Sequence, residues 1–515
     1  MSESDLATRV EEVLSVDPDE FQSRVEEEAE VIVDEIDDGT FDNPQAIVGF
    51  EYEFYAVDDE TAELRRVPRR LLDLIGFEKE LGLHNAEMST SPQPLNSHGL
   101  AAQEAEVKAR LSAAEDRTGA EGMRLVSDAM WTIPPEGETA GAYLTDSVED
   151  RGVRVASNMS DAVRYHAMAN SEAQAGMELD APHVSLDADT VMPESLITSI
   201  QPHYQVPHAR DLPTFFQYAL RIAGPLLALG VNSPLFPPGL YDADADPQTI
   251  LDDGWDEHRI GVFETVLNRN ADDRDKVRFP RDFDRVEEAV ERIAADRTIV
   301  PMPVERSDRF DDEFAHFRHK HGTYWRWVRP VFGGATRSAA NARIEFRPIA
   351  AQPTVRDSIA FQAAFAGLLE STFRREHPVR HLDWVVARDN FYDAAREGLA
   401  ADIYWITNAG EETTDHEDVY ADIFAHAKDG LQLRGLSDQQ AAKYLYPLRQ
   451  RARHRLTPAS WKRDRVRERL DDGESFEQAV YGMQRDYVDR QAETLIDATF
   501  ANWVGRGDTE MTREE

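Results

Sequence analysis

The sequence predicts an α+β fold, and three observations carry that prediction. Residues 47–57, IVGFEYEFYAV, alternate: Val48, Phe50, Tyr52 and Phe54 fall on one face, Gly49, Glu51, Glu53 and Tyr55 on the other. This is the period of a strand with one face in a core. Two further strand-like runs, 323–331 (TYWRWVRPV) and 342–349 (ARIEFRPI), flank a turn region at Gly333-Gly334. From about residue 375 the pattern becomes helical and charged, as in QQAAKYLYPLRQRARHRL. The order lacks the regular β–α repeat of a doubly wound fold.

The remaining elements follow in order. Residues 1–46 are acidic with helical spacing (Val10, Val13 and Leu14, then Val25 and Ala29) and are stopped by Asn43-Pro44. An amphipathic helix over 100–115 starts near Ser97, and a strand lies near 123–131. Residues 194–206 read as a strand weakened by Pro202. A buried helix over 212–231 is closed by Gly230 and the turn Asn232-Ser233-Pro234. The chain thus divides into an acidic helical segment (1–46), a central unit (47–375) and a helical C-terminal extension (376–515). The extension supports the core or an oligomer interface. No internal repeat or low-complexity tract is present.

Composition narrows the function classes. A chain of 515 residues with 41% hydrophobic content has room for two or three cored domains. It carries 98 Asp+Glu against 56 Lys+Arg, a formal net charge of −42. Such a charge repels nucleic acid and anionic membranes. The acid is spread along the whole chain, and only seven basic residues are Lys: 79, 108, 276, 320, 428, 443 and 462. An even acidic coat with Lys removed fits a halophilic protein that stays hydrated in molar salt; one acidic functional surface is the alternative. Cysteine is absent, which excludes a disulfide, a thiolate nucleophile and a Cys-based zinc site. The first residues, MSESDLATRV, show no signal peptide. The most apolar run, 222–231, spans about ten residues, too short for a bilayer. A cytoplasmic location is expected.

The candidate chemistry lies in carboxylates and arginines. Glu51 and Glu53 share a strand face, roughly 7 Å apart by strand rise. Two such carboxylates repel unless something positive lies between them. They read either as ligands of a hard cation such as Mg²⁺ or as a solvated strand face. Arg343, Glu345 and Arg347 share another face, opposite Ile344 and Phe346. That set is a structural ion-pair ladder, or a metal ligand between two anion-binding guanidiniums. Glu87 lies in the polar stretch LHNAEMSTSP, and Gln201, His203 and Gln205 alternate on one face. His316, His319 and His321 suggest a metal site at first glance, but Arg318 and Lys320 between them oppose it. No P-loop and no dinucleotide glycine fingerprint is present, so an ATP enzyme of this sequence must hold phosphate through metal ions and arginines.

In order, these pieces resemble the glutamate–cysteine ligase family, particularly its carboxylate–amine ligase branch of halophilic archaeal type, and more distantly glutamine synthetase. Val48-Gly49-Phe50-Glu51-Tyr52-Glu53 is similar to the family's V-G-x-E-x-E strand, and Glu87 with Thr90 and Pro92 to its E-x-x-T-x-P segment. Arg164-Tyr165, then Thr198 to His203, resemble an Arg-Tyr pair and a central Gln- and His-bearing strand. Pro225 to Leu229 with Asn232-Ser233-Pro234 resembles the P-x-L-x-A-L-x-A-N-S-P run. Tyr324-Trp325, Arg329-Pro330 and Arg343 to Arg347 resemble the closing strand pair. The resemblance covers roughly residues 45–375. The second histidine of a His-Val-His-Val strand is replaced by Gln205, and His183 in His183-Val184-Ser185-Leu186 competes with His203. The Asp that usually follows the closing strand is not evident at 348–352.

The resemblance implies a curved, mainly antiparallel sheet of the glutamine synthetase catalytic type with flanking helices. Its hollow face would hold two or three Mg²⁺ ions on Glu51, Glu53, Glu87 and Glu345. His203 would be a further ligand or polar contact, and Arg347 and Arg329 would hold phosphate or a substrate carboxylate. Gln201 and Asn232 would lie on the nucleotide side, Asn232 by shaping the turn beside it. The implied activity is ATP-dependent joining of glutamate, or a similar carboxylate, to an amine such as cysteine through an acyl phosphate. A ligase of a different carboxylate and amine, or a noncatalytic scaffold that keeps the fold, are the competing readings. A homo-oligomer is left open.

Overall fold

The computed structural model describes residues 3–171, 177–268 and 276–503. Two helices open the described chain, α1 (Glu3–Leu14) and α2 (Pro18–Asp37). The Asp17 carboxylate accepts from the Asp19 and Glu20 amides, and Pro18 occupies a first-turn position that needs no N–H donor. The helices bury one stripe, with Phe21, Val25, Ile32 and Ile36 in the core.

The sheet and its helices follow. The strands are β1 (Ile47–Asp58) and β2 (Asn85–Ser89). After α3 (Ser97–Gly119) come β3 (Met123–Val126), β4 (Ile200–Val206) and the helix α4 (Leu212–Gly230). Then come β5 (Val328–Gly333), β6 (Asn341–Phe346), α5 (Val355–Arg375) and α6 (Trp384–Glu397). The chain closes with α7 (His416–Leu433), α8 (Asp438–His454), α9 (Pro458–Asp471) and α10 (Phe476–Thr494). The main sheet is curved and antiparallel, in the order β5-β6-β4-β1-β2 with Glu78–Lys79 at one edge. β3 and Gln93–Pro94 pair with β1 as well. The alternation along β1 sets the layering: Val48, Phe50, Tyr52 and Phe54 are buried, while Glu51 and Glu53 face the other way.

Several expectations are adjusted. The strand expected over 123–131 ends at Val126, and Ser127 and Asp128 form a buried polar bend. The strand expected from 194 begins at Ile200, because Pro193 opens a 3₁₀ turn over Met192–Leu196. The closing pair begins at Val328, not at 323.

Helix α5 was not expected. Thr354 caps it by accepting from the Asp357 amide, and apolar and small residues bury it on all sides. It crosses α7 where Gly367 meets Gly430; a Cβ on Gly430 would lie 1.8 Å from the Gly367 carbonyl oxygen, so the crossing tolerates no side chain there. Phe365 stacks on Phe346 of β6 at 4.4 Å between centroids, which joins the helix to the apolar face of the sheet.

The C-terminal helices are pinned to this core by buried polar contacts. Lys462 of α9 meets the Asp128 carboxylate, and Arg451 of α8 reaches Asp357 at 2.9 Å. Gln491 of α10 accepts from the Ser127 amide at 3.0 Å. Among the described residues no helix is long and apolar enough to cross a membrane.

Candidate active site

Register brings the polar residues together. Across the antiparallel pairs, Glu51 stands opposite Gln201, Glu53 opposite Glu87, and His203 opposite Glu345. Arg329 on β5 stands opposite Glu345 in turn. Five strands therefore place their polar residues in adjoining rows on one sheet face.

A continuous chain of contacts runs across that face. Arg329 and Arg347 both reach Glu345 Oε1, at 2.9 and 2.7 Å. The same Arg347 nitrogen donates to Gln201 Oε1 at 2.7 Å, and Gln201 Nε2 donates to Glu53 Oε1 at 2.7 Å. The other Glu53 oxygen accepts from the Ser199 amide at 2.6 Å. Arg343 Nε donates to His203 Nδ1 at 3.4 Å. A neutral His203 then carries its proton on Nε2, which faces Glu51 Oε1 at 3.6 Å. That distance is too long for a hydrogen bond, and Nε2 has no other partner among the described residues.

Two hollows larger than about 100 Å³ border the row. One, of about 180 Å³, is lined by Glu51, Glu53, Glu80, Glu194, Arg329 and Arg347, with Tyr165, Phe263 and Trp325 on its apolar walls. The other, of about 300 Å³, lies on the far side of Glu51 toward His203, Arg343, Gln205 and Thr90. Glu51 borders both.

The electrostatics are lopsided. Burial, then the charge of Glu345, pushes the Glu51 carboxyl up to about 7. Burial, then Glu80, pushes Glu53 up to about 7, and the same two causes push Glu194 up to about 8. Burial and Glu80 also hold Glu87 well above the usual carboxylate range. Burial acts on Glu345 in the same direction, but Arg329, Arg347 and His203 together outweigh it and hold Glu345 well below that range. Burial lowers His203 to about 4, which keeps it neutral.

These residues fit a hard divalent cation. The donor set is mainly carboxylate oxygen, and one ligand atom each from Glu51, His203 and Glu345 lies within 4.8 Å of the others. His203 Nε2, Arg329 Nε and Arg347 Nε are buried with no hydrogen-bond partner. Polar atoms left so in a native site mark a missing ligand or water, and the two guanidinium N–H donors call for an anionic oxygen beside the cation.

The structure sorts the sequence candidates. Glu51, Glu53, Gln201, Arg329 and Arg347 line the smaller hollow, His203 the larger, and Glu345 is the hub of the arginines. Glu87, on the neighbouring strand opposite Glu53 and close to Glu80, lines neither hollow. Asn232 lines neither hollow. It is fully buried and donates to the Ala351 carbonyl at 2.8 Å and the Tyr487 hydroxyl at 3.1 Å, so it fixes its turn and faces no ligand space. His183 pairs with Asp253 at 2.9 Å, away from the row. The three clustered histidines diverge: His316 meets Glu28, His319 meets Arg164, and His321 donates to the Pro330 carbonyl. Sequence reasoning missed Glu80, Glu194 and Arg259. Glu80 follows a two-residue edge strand and Glu194 lies in a 3₁₀ turn, so no periodicity marks either. Arg259 lies on a helix (His258–Leu267) and reaches the Pro348 carbonyl.

Comparison with known proteins gives the family and the fold. The sequence profile of glutamate–cysteine ligase family 2 matches residues 47–493, and the chain belongs to that family. The match runs well past residue 375, so the C-terminal helices are part of what the family shares. The fold is similar to a glutamate–cysteine ligase from Francisella tularensis solved in complex with AMP, with TM-score 0.51 and 11% identity over 89% of this chain and 91% of that one. A bifunctional glutathione synthetase from Pasteurella multocida aligns with TM-score 0.47 and 13% identity, over 90% of this chain and 55% of that one. No curated protein matches by sequence.

Proposed function

We propose that this protein is an ATP-dependent carboxylate–amine ligase, most simply one that joins the γ-carboxylate of glutamate to the amine of cysteine. The observation that supports the reading is the excess of buried carboxylates beside two arginines on one sheet face, in a chain of this family. A free carboxylate is a poor electrophile. Its oxygen would attack the γ-phosphorus of ATP, breaking the bond to the ADP oxygen and forming an acyl phosphate. The amine nitrogen would then attack the acyl carbon, the C–O bond to phosphate would break, and one proton would leave the nitrogen.

The chain's residues would act by position and charge. Arg347, fixed by Glu345 and Gln201, and Arg329, fixed by the His321 and Tyr324 carbonyls, would orient anionic oxygens. His203, beside Glu51, would be a further ligand or polar contact. Mg²⁺, held by Glu51, Glu53, Glu87 and Glu345, would neutralise phosphate charge during transfer. The smaller hollow suits an amino-acid-sized substrate. At about 180 Å³ it is too small for a nucleotide by the usual pocket range of about 300–1,000 Å³, and the neighbouring hollow of about 300 Å³ suits part of one.

The test is ADP release with Mg²⁺, glutamate and a panel of amines in molar KCl, a medium chosen for a halophilic protein. Turnover that depends on cysteine is expected. Turnover with another amine would keep the ligase and replace the substrate. No turnover by folded protein would remove the enzyme. Glu345→Gln is expected to cut ADP formation at least about 100-fold, the usual scale for one charged group in such a site. Normal turnover in Glu345→Gln would overturn the site.

A further inference from the structure

The largest hollow described here lies outside the sheet. It is a groove of about 740 Å³ between α7 and α8 and shares no lining residue with the carboxylate hollows. Its floor contains Ala421 and Ala425 of α7, with Tyr420 and Phe424 beside them. From His416 to Lys428 it follows about 18 Å of helix by helical rise.

Its rim is unusual for this chain. Arg449, Arg453 and Arg455 line it, all exposed, and none makes an ion pair among the described residues. Arg449 lies 6.0 Å over the Phe424 ring, its one contact of note. Carboxylates outnumber basic residues 98 to 56, so partners are not scarce. Three neighbouring guanidiniums without a carboxylate therefore form a local reversal of sign on a strongly negative molecule. Arg449 and Arg453 are four residues apart, hence neighbours on one face of α8.

A bland explanation covers part of this. Basic residues near a helix C-terminus offset the partial negative charge of its last carbonyls. That accounts for Arg453 and Arg455 at the end of α8. It does not account for Arg449, a turn earlier, or for Lys428 on α7, which is paired to Asp438 at 2.5 Å. One carboxylate, Glu417, also lines the groove. The balance stays positive, with a volume inside the ordinary range for ligand sites.

We propose that this groove is a second binding site, which takes a multiply charged oxyanion through paired guanidiniums. Phosphate and carboxylate groups share that chemistry. The proposal does not rest on the ligase reading, because it concerns a surface that the proposed reaction does not use.

The experiment is calorimetric titration of the full chain with pyrophosphate and, separately, citrate. It is run in EDTA, so that no divalent cation recruits either anion to the carboxylates. The KCl concentration is the lowest at which the far-UV circular dichroism remains that of folded protein, since salt screens exposed charge. Wild type is expected to bind one equivalent of at least one probe. The double variant R449A/R453A, at exposed positions that make no ion pair among the described residues, should keep its fold and weaken that binding at least tenfold, while E51Q leaves it unchanged. Binding by pyrophosphate alone would assign the groove to phosphate ligands, and binding by citrate alone to carboxylates. No binding of either by wild type, or binding that survives in R449A/R453A, would overturn the proposal.

Discussion

Two clusters of buried charge in this protein are built in opposite ways. Around Asp128 the charges are matched. One oxygen takes the Lys462 ammonium and the Ala129 amide, and the other accepts from the Tyr55 hydroxyl at 3.1 Å and Gln484 at 3.0 Å. Around Glu345 they are not. Glu345 already engages both Arg329 and Arg347, while Glu51, Glu53, Glu80 and Glu194 line one hollow in which, among the described residues, those two arginines are the only cations; Arg259 borders Glu53 and Glu194 from beside it. The first cluster ties the C-terminal helices to the sheet. The second is a standing electrostatic cost to the fold, and a cation would relieve it.

The largest effect belongs to the cluster that serves the fold. Lys462→Met leaves Asp128 buried and unpaired, and is expected to cost about 3–5 kcal/mol in urea unfolding. A loss below about 1 kcal/mol would mean that the pair is not what pins α9.

In the unmatched cluster, loss of charge should help stability and harm function. Glu51→Gln is expected to abolish ADP formation yet raise stability at pH 8. The Glu51 side chain is 32% exposed, so water screens much of its shift and the gain is set at about 1 kcal/mol. A variant that unfolds more easily than wild type at pH 8 would show that Glu51 is paired in the native state.

The pH dependence sharpens the same contrast. Glu51 and Glu53 titrate near 7 in the fold and Glu194 near 8, all raised from 4.5. Raised carboxyls favour the folded state below 4.5, and that contribution is lost as pH climbs through 7 and 8. In EDTA the Tm advantage of Glu51→Gln over wild type should therefore grow from pH 5 to pH 8. Added Mg²⁺ should raise the wild-type Tm more at pH 8 than at pH 6. Equal Mg²⁺ shifts at both would disconnect the carboxylates from the metal.

The smallest effect is expected at His183, whose pair with Asp253 is partly exposed. His183→Ala should change stability by less than about 1 kcal/mol and leave ADP release unchanged. A large loss of turnover would reopen the choice between His183 and His203.

How legible each part was depended on whether it left a local trace. β1 could be read from its alternation, and with it the shared face of Glu51 and Glu53. Arg343, Glu345 and Arg347 were legible for the same reason. Helix α5 was not, because its burial on every side erases the stripe that marks a surface helix. The contacts by which α8, α9 and α10 reach the core were not legible: Arg451, Lys462 and Gln491 look like ordinary surface residues in a charged helical pattern, yet each ends in a buried contact. Glu80 and Glu194 resembled any of the chain's many acids until the fold placed them beside Glu53.

From local pattern alone came the strand faces, several helix boundaries and the charge of the chain, since these depend on neighbours within a few residues. The meeting of Glu53 with Glu87, of His203 with Glu345, and of both arginines with one carboxylate oxygen came from the pairing of strands far apart in sequence. A carboxylate's role depends on the charges within a few ångströms, and those neighbours are set by strand register.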